Sequence, residues 1–182
     1  MLYIMRHGIT DWNIAKKLQG RTDIPLNDEG RRMAIEAGKK YADINFDICY
    51  CSPLERARET AQLFLKGRNV PIIYDDRLIE MCFGVFEGVA NSFKIPDCPV
   101  NVFFKNPELY KGVDGGETME ELFERTGDFL ENVAYPLSEE GKDVLIVGHG
   151  AMNSSIVCQV KELPIEKFWD EGIENCKLMK LK

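Results

Sequence analysis

Histidine is the scarcest reactive residue of this chain: 182 residues hold two, His7 and His149. Two histidines cannot build a His-rich metal cluster, and no CxxC pair exists to complete a zinc site. No apolar run approaches the ~20 residues of a membrane-spanning helix. Basic residues are not in excess, with 23 Lys and Arg against 30 Asp and Glu and a net charge of −7. That balance excludes a general nucleic-acid or anionic-membrane binder, both of which need a basic surface. No signal-peptide layout precedes the first strand pattern, which predicts a cytoplasmic protein. Without that signal, Cys49, Cys51, Cys82, Cys98, Cys158 and Cys176 read as reduced structural thiols rather than disulfides. Repeats, low-complexity stretches and linkers are absent, so residues 1–182 read as one domain.

What is present is an alternation of strand and helix patterns. Strands are expected at Leu2–Arg6, Asp47–Cys51, Val70–Tyr74, Val144–Val147 and near Cys176–Leu181. Helices are expected near Asp11–Lys17, from Asn27 to Ala42, and from a Ser52-Pro53 cap to Lys66. Another should run from a Thr118–Glu121 capping box to Tyr135, and a last one from Ala151. Residues 75–117 carry several glycines and prolines and read as irregular. The pattern predicts a three-layer α/β/α domain with a mostly parallel central sheet and a short irregular cap segment at about 89–114.

Both histidines close an apolar run and are followed by glycine: Leu2-Tyr3-Ile4-Met5-Arg6-His7-Gly8 and Val144-Leu145-Ile146-Val147-Gly148-His149-Gly150. Ligands of open α/β sheets bind outside the carboxyl ends of the strands. The sequence can therefore bring both imidazoles to one crevice, beside Arg6. Arg56 falls near the start of a helix, where free N–H groups and the dipole favour anions. Arg58 lies about 200° further round that helix, so one arginine should face the site and the other solvent. Taken alone, both arginines read as surface charges pairing with Glu55 and Glu59. Trp12, Phe83 and Phe86 read as core anchors, and Glu117 as part of the helix cap at Thr118.

Six ordered blocks now carry a resemblance. Arg6-His7-Gly8 with Trp12-Asn13, then Pro25 to Gly30, then Ser52-Pro53-Leu54-Glu55-Arg56-Ala57-Arg58-Glu59-Thr60-Ala61 come first. Leu78-Ile79-Glu80 with Gly84 and Glu87-Gly88, Gly115 to Thr118, and Val147-Gly148-His149-Gly150 follow. Together they resemble the histidine phosphatase superfamily, also called the phosphoglycerate mutase-like family, in its phosphatase branch. The resemblance implies that His7 is the nucleophile that becomes phosphorylated. It implies that Arg6, Asn13, Arg56, His149 and Gly150 hold phosphate, and that Glu80 donates the proton. Ile9 and Ser154 depart from the family pattern.

The chemistry agrees. A neutral imidazole can attack phosphorus and split one hard step into two. Arginines, and His149 if protonated, can stabilise the equatorial oxygens without a metal. An attacking imidazole cannot also donate the leaving-group proton, so a separate acid is needed. The expected function is hydrolysis of a small-molecule phosphomonoester, with no cofactor. The alternatives are a cofactor-dependent phosphoglycerate mutase and a non-catalytic phosphate-ligand binding domain. Segment 89–114 has zero net charge, no arginine, and Phe93, Phe103, Phe104 and Tyr110. It predicts a substrate with an uncharged or aromatic part.

Overall fold

The computed structural model describes all 182 residues. Its centre is a five-stranded sheet: β1 (Leu2–Arg6), β2 (Ile48–Cys51), β3 (Ile72–Tyr74), β4 (Val144–Gly148) and β5 (Leu178–Lys180). The spatial order is β3-β2-β4-β1-β5. The first four strands are parallel, and β5 adds an antiparallel edge against β1. Helices α1 (Asp11–Ile14), α2 (Asp28–Lys40), α3 (Glu55–Phe64), α4 (Asn101–Lys105), α5 (Met119–Phe129), α6 (Tyr135–Glu139) and α7 (Gly150–Val160) connect them. No helix is long and apolar enough to cross a membrane.

The strands are apolar on both faces, as a parallel sheet covered twice requires. Alternate residues feed separate cores. Leu2, Ile4, Val144 and Ile146 pack with Leu122, Phe129, Met152 and Ile156 of α5 and α7. Tyr3, Met5, Leu145 and Val147 pack with Ala34, Ala37, Ala57 and Ala61 of α2 and α3. Cys49 and Cys51 share that second face, as their spacing predicts. All six thiols are free, and all but the half-buried Cys82 are buried. Burial pushes the Cys49 and Cys51 thiols up.

Three sequence expectations change. α3 begins at Glu55, not at Ser52-Pro53; Leu54 is its cap residue and makes no side-chain cap bond. The Glu55 N–H is met instead by Asp23 Oδ1 at 2.8 Å, a remote carboxylate that sequence spacing cannot reveal. The helix after Thr118 does not stop at Tyr135. It passes through a π-helical turn, Leu130–Ala134, into α6. Pro136 there lacks an N–H and crowds the carbonyl four residues back, which accounts for the widened turn. Residues 75–117 hold four 3₁₀ turns and α4 rather than being wholly irregular.

α2 crosses the end of β1 at a glycine pair. A Cβ on Gly8 would lie 2.6 Å from the Gly30 carbonyl oxygen, and one on Gly30 would overlap the Ile9 carbonyl. Helix propensity alone would favour Ala at position 30. The overlap reverses that sign. Gly30→Ala is expected to destabilise the fold by about 1–3 kcal/mol, read as a lower urea midpoint at unchanged m value.

Candidate active site

β1 and β4 are neighbours, but the chain leaves them in opposite directions, towards β2 from β1 and towards β5 from β4. This is the switch-point crevice of an open α/β sheet. Arg6 pairs with Gly148 in the ladder, so the next residues, His7 and His149, stand side by side. The His7 N–H donates to the Gly148 carbonyl at 2.9 Å, and the two ring centroids are 5.2 Å apart.

A cavity of about 230 Å³ opens over this point. Of the seven residues expected at the site, Arg6, His7, Asn13, Arg56, Glu80 and Gly150 line it. His149 is fully buried behind His7. Arg56 is the second residue of α3 and also fully buried, while Arg58 is exposed and lies over the Tyr74 ring. The one-in, one-out expectation for the two arginines holds.

His7 Nδ1 lies 2.6 Å from the Gly8 carbonyl oxygen. A carbonyl only accepts, so Nδ1 carries the ring proton and Nε2 keeps its lone pair. His149 Nε2 pairs with Ser52 Oγ at 2.7 Å. Ser52, expected as a helix cap, is a ring partner instead. Its hydroxyl also accepts from the Leu54 N–H at 3.3 Å. His149 Nδ1 is buried with no hydrogen-bond partner.

Glu80 lies at the N-terminus of α7. Its Oε1 accepts from the N–H groups of Met81 (2.8 Å) and Met152 (3.0 Å), and Oε2 from Ala151 (3.2 Å). A Cβ on Gly150 would come within 3.6 Å of the Arg6 guanidinium carbon and 3.7 Å of Glu80 Oε2. Glycine keeps that space open. Glu117 does not cap α5, because Glu121 completes the capping box. Glu117 is buried and forks with Arg125 at 2.6 and 3.0 Å. Arg125 also donates to the Arg77 carbonyl at 2.6 Å, so this pair braces the segment that carries Glu80.

Burial, then the Arg56 and Arg6 guanidiniums, hold His7 well below the usual histidine range. Burial, Arg56 and His7 do the same to His149. The condition that His149 be protonated is therefore not met in the free protein. The charge comes from Arg6 and from Arg56, which burial pulls down to about 10, still cationic at neutral pH. Two guanidiniums, a neutral imidazole lone pair and a carboxyl group facing one small cavity are suited to phosphoryl transfer onto nitrogen.

Sequence reasoning missed Ser52 as a ring partner, and Lys17, Gln19 and Trp169 as cavity residues. Trp169 is far from every motif, and no sequence signal marked it. Phe83 packs in the core as expected and lines the cavity as well.

The family model for the histidine phosphatase superfamily (branch 1) matches residues 2–182. An uncharacterized phosphatase, PhoE, of Bacillus subtilis (strain 168) is 38% identical over 159 residues, 86% of this chain and 75% of that protein. The 2,3-bisphosphoglycerate-dependent phosphoglycerate mutase of Lactococcus lactis subsp. cremoris (strain MG1363) is 30% identical across 96% of this chain and 88% of its own. Among solved structures, YhfR of Bacillus stearothermophilus superposes with a TM-score of 0.85 at 31% identity, covering 97% of this chain and 88% of its own.

The depressed histidines make stability depend on pH with a definite sign. Below about pH 6.5 the unfolded chain takes up protons on both rings that the folded chain refuses. Stability is full above that value and falls as pH drops, by up to ~1.4 kcal/mol per pH unit for each histidine. Urea unfolding between pH 7 and 5.5 should show this loss, and His7→Gln should roughly halve its slope.

Proposed function

We propose, because this chain belongs to the histidine phosphatase superfamily, that it hydrolyses a small phosphomonoester through a phosphohistidine at His7. The reading treats residues 1–182 as one catalytic domain, with 89–114 as a short cap over the cavity. The observation that carries it is the His7 Nδ1 contact to the Gly8 carbonyl, which leaves Nε2 as a neutral nucleophile beside the guanidiniums of Arg6 and the buried Arg56.

In the proposed cycle, His7 Nε2 forms a bond to phosphorus while the ester P–O bond breaks. Arg6 and Arg56 stabilise the equatorial oxygens, with Asn13 and His149 as further donors. Glu80 gives its proton to the departing alkoxide. Water then attacks the phosphohistidine, its proton passes to the Glu80 carboxylate, and the P–N bond breaks to release orthophosphate. Positive charge is supplied by side chains, so the cycle uses no cofactor.

The cavity is smaller than the 300–1,000 Å³ typical of drug-sized ligands, which favours a compact substrate. Its apolar lining is Leu18, Phe83, Phe104, Ala151 and Trp169, and Lys17 is its one cation besides Arg6 and Arg56. A substrate with an uncharged or aromatic part was expected from segment 89–114 alone. Lys17, from the turn after α1, makes room for an anionic group as well.

A phosphomonoester panel assayed in EDTA should release orthophosphate, and 3-phosphoglycerate should be hydrolysed rather than isomerised when 2,3-bisphosphoglycerate is added. His7→Ala should lose essentially all turnover, and quenched reactions should carry an acid-labile, base-stable label on His7. Label on His149 would overturn the assignment.

Glu80→Gln should slow alkyl phosphates about 10²–10⁴-fold, the usual worth of a positioned acid. p-Nitrophenyl phosphate, whose phenolate leaves unprotonated, should be slowed far less. Equal losses on both would reassign Glu80 to binding or structure.

A further inference from the structure

Arg56 is held by a loop, and the loop is held by one carboxylate. The Arg56 Nη1 donates to the Thr22 carbonyl at 2.8 Å, and Nη2 to the Gly20 carbonyl at 2.6 Å. These two acceptors set the direction of a fully buried guanidinium. The same three-residue loop points its N–H groups the other way. Glu87 Oε1 accepts from the Arg21 N–H at 2.9 Å, and Oε2 accepts from the Thr22 N–H at 2.9 Å and from the Thr22 hydroxyl. Glu87 Oε1 also takes the Phe83 N–H at 3.2 Å, three residues beyond Glu80.

Loop and carboxylate fit closely. Gly20 has φ +54°, and a Cβ there would overlap the Glu87 carboxylate. Neighbouring strands of backbone fix Glu87 in turn: the Gly88 N–H donates to the Leu18 carbonyl at 2.7 Å, and the Leu18 N–H to Val89 at 3.0 Å. One anionic side chain thus ties the cradle of a phosphate arginine to the segment bearing the acid. Such support around a reacting group sets its geometry without touching substrate.

We infer that Glu87 is a positioning residue that acts through Arg56, fixing its fork for the transition state by clamping the backbone of Gly20–Thr22. This rests on the phosphatase reading, in which Arg56 holds the transferring phosphoryl group. Displacing a positioned group by about 1 Å can cost on the order of 10²-fold.

A double-mutant cycle separates positioning from general structure. Glu87→Ala should lower kcat/KM about 10–100-fold, mainly in kcat. Arg56→Lys, which loses the planar fork, should lower it at least as far. If Glu87 acts through Arg56, adding Glu87→Ala to Arg56→Lys should cost little more, because groups in one network are not additive. Full additivity of the two losses would overturn the inference. Orthophosphate affinity by titration calorimetry, measured on the same four proteins, should show the same non-additivity. That readout stands even if no phosphomonoester is turned over, an outcome that would instead remove the phosphatase reading. Should Glu87→Ala fail to fold, Glu87→Gln completes the cycle: its NH2 cannot accept from Thr22, so the same coupling is expected.

Discussion

Parallel hydrogen bonding between β1 and β4 sets Arg6 opposite Gly148, and the next residue on each strand is one of the chain's two histidines. A slip of one residue would turn one imidazole to the other face of the sheet. Polarity does not guard against that slip, because both faces of these strands are apolar and buried. Side chains and close backbone crossings do. Asn153 Nδ2 donates to the Met5 carbonyl at 3.1 Å, and Asn175 Nδ2 to the His7 carbonyl at 2.7 Å. The Cys176 N–H reaches the Arg6 carbonyl at 2.9 Å, and Gly8 fits only against another glycine on α2. The site depends on this pinned strand end more than on any one side chain.

The electrostatics follow from what that crevice buries. Placing two guanidiniums next to two imidazoles in a region largely closed to water penalises a further proton on either ring. Arg56 keeps its charge at neutral pH, and the backbone carbonyls of Gly20 and Thr22 receive its fork. One arrangement then does two things. The cations that suit an incoming phosphate also keep His7 in the neutral form that can attack it. In the proposed cycle the acid is a separate group, Glu80, anchored by backbone N–H groups at the start of α7.

Much of this was legible before any coordinates. Alternating patterns give the sheet and its layers, because a strand covered on both faces leaves a nearly continuous apolar run. The strand-end His-Gly pairs locate the crevice, and helical periodicity separates Arg56 from Arg58. What stayed hidden depends on partners distant in sequence. Ser52-Pro53 has the local chemistry of a helix cap, yet Ser52 turns to His149 and Asp23 caps the helix from 32 residues away. Glu117 stands beside a helix start, yet its partner is Arg125. Lys17 and Trp169 join one wall only because the turn after α1 and the segment before β5 meet over the cavity.

The outer end of that cavity bears on which reaction the inner chemistry serves. A phosphohistidine can return its phosphoryl group to a retained product or lose it to water, and the groups around His7 support either fate. Retention requires that the dephosphorylated product stay bound longer than water takes to attack. Charge-assisted bonds to its remaining polar groups are the strong way to hold it. Here the apolar lining of the cavity is mostly aromatic, with Phe104 and Trp169 stacked at a 5.5 Å centroid separation. Trp169 Nε1 is already committed to the Phe103 carbonyl at 2.9 Å. Lys17 is the one cation there besides Arg6 and Arg56, and its ammonium sits 5.3 Å over the Trp12 ring. A wall of that kind offers contact area but few strong polar holds, which favours the proposed hydrolysis over retention of the product.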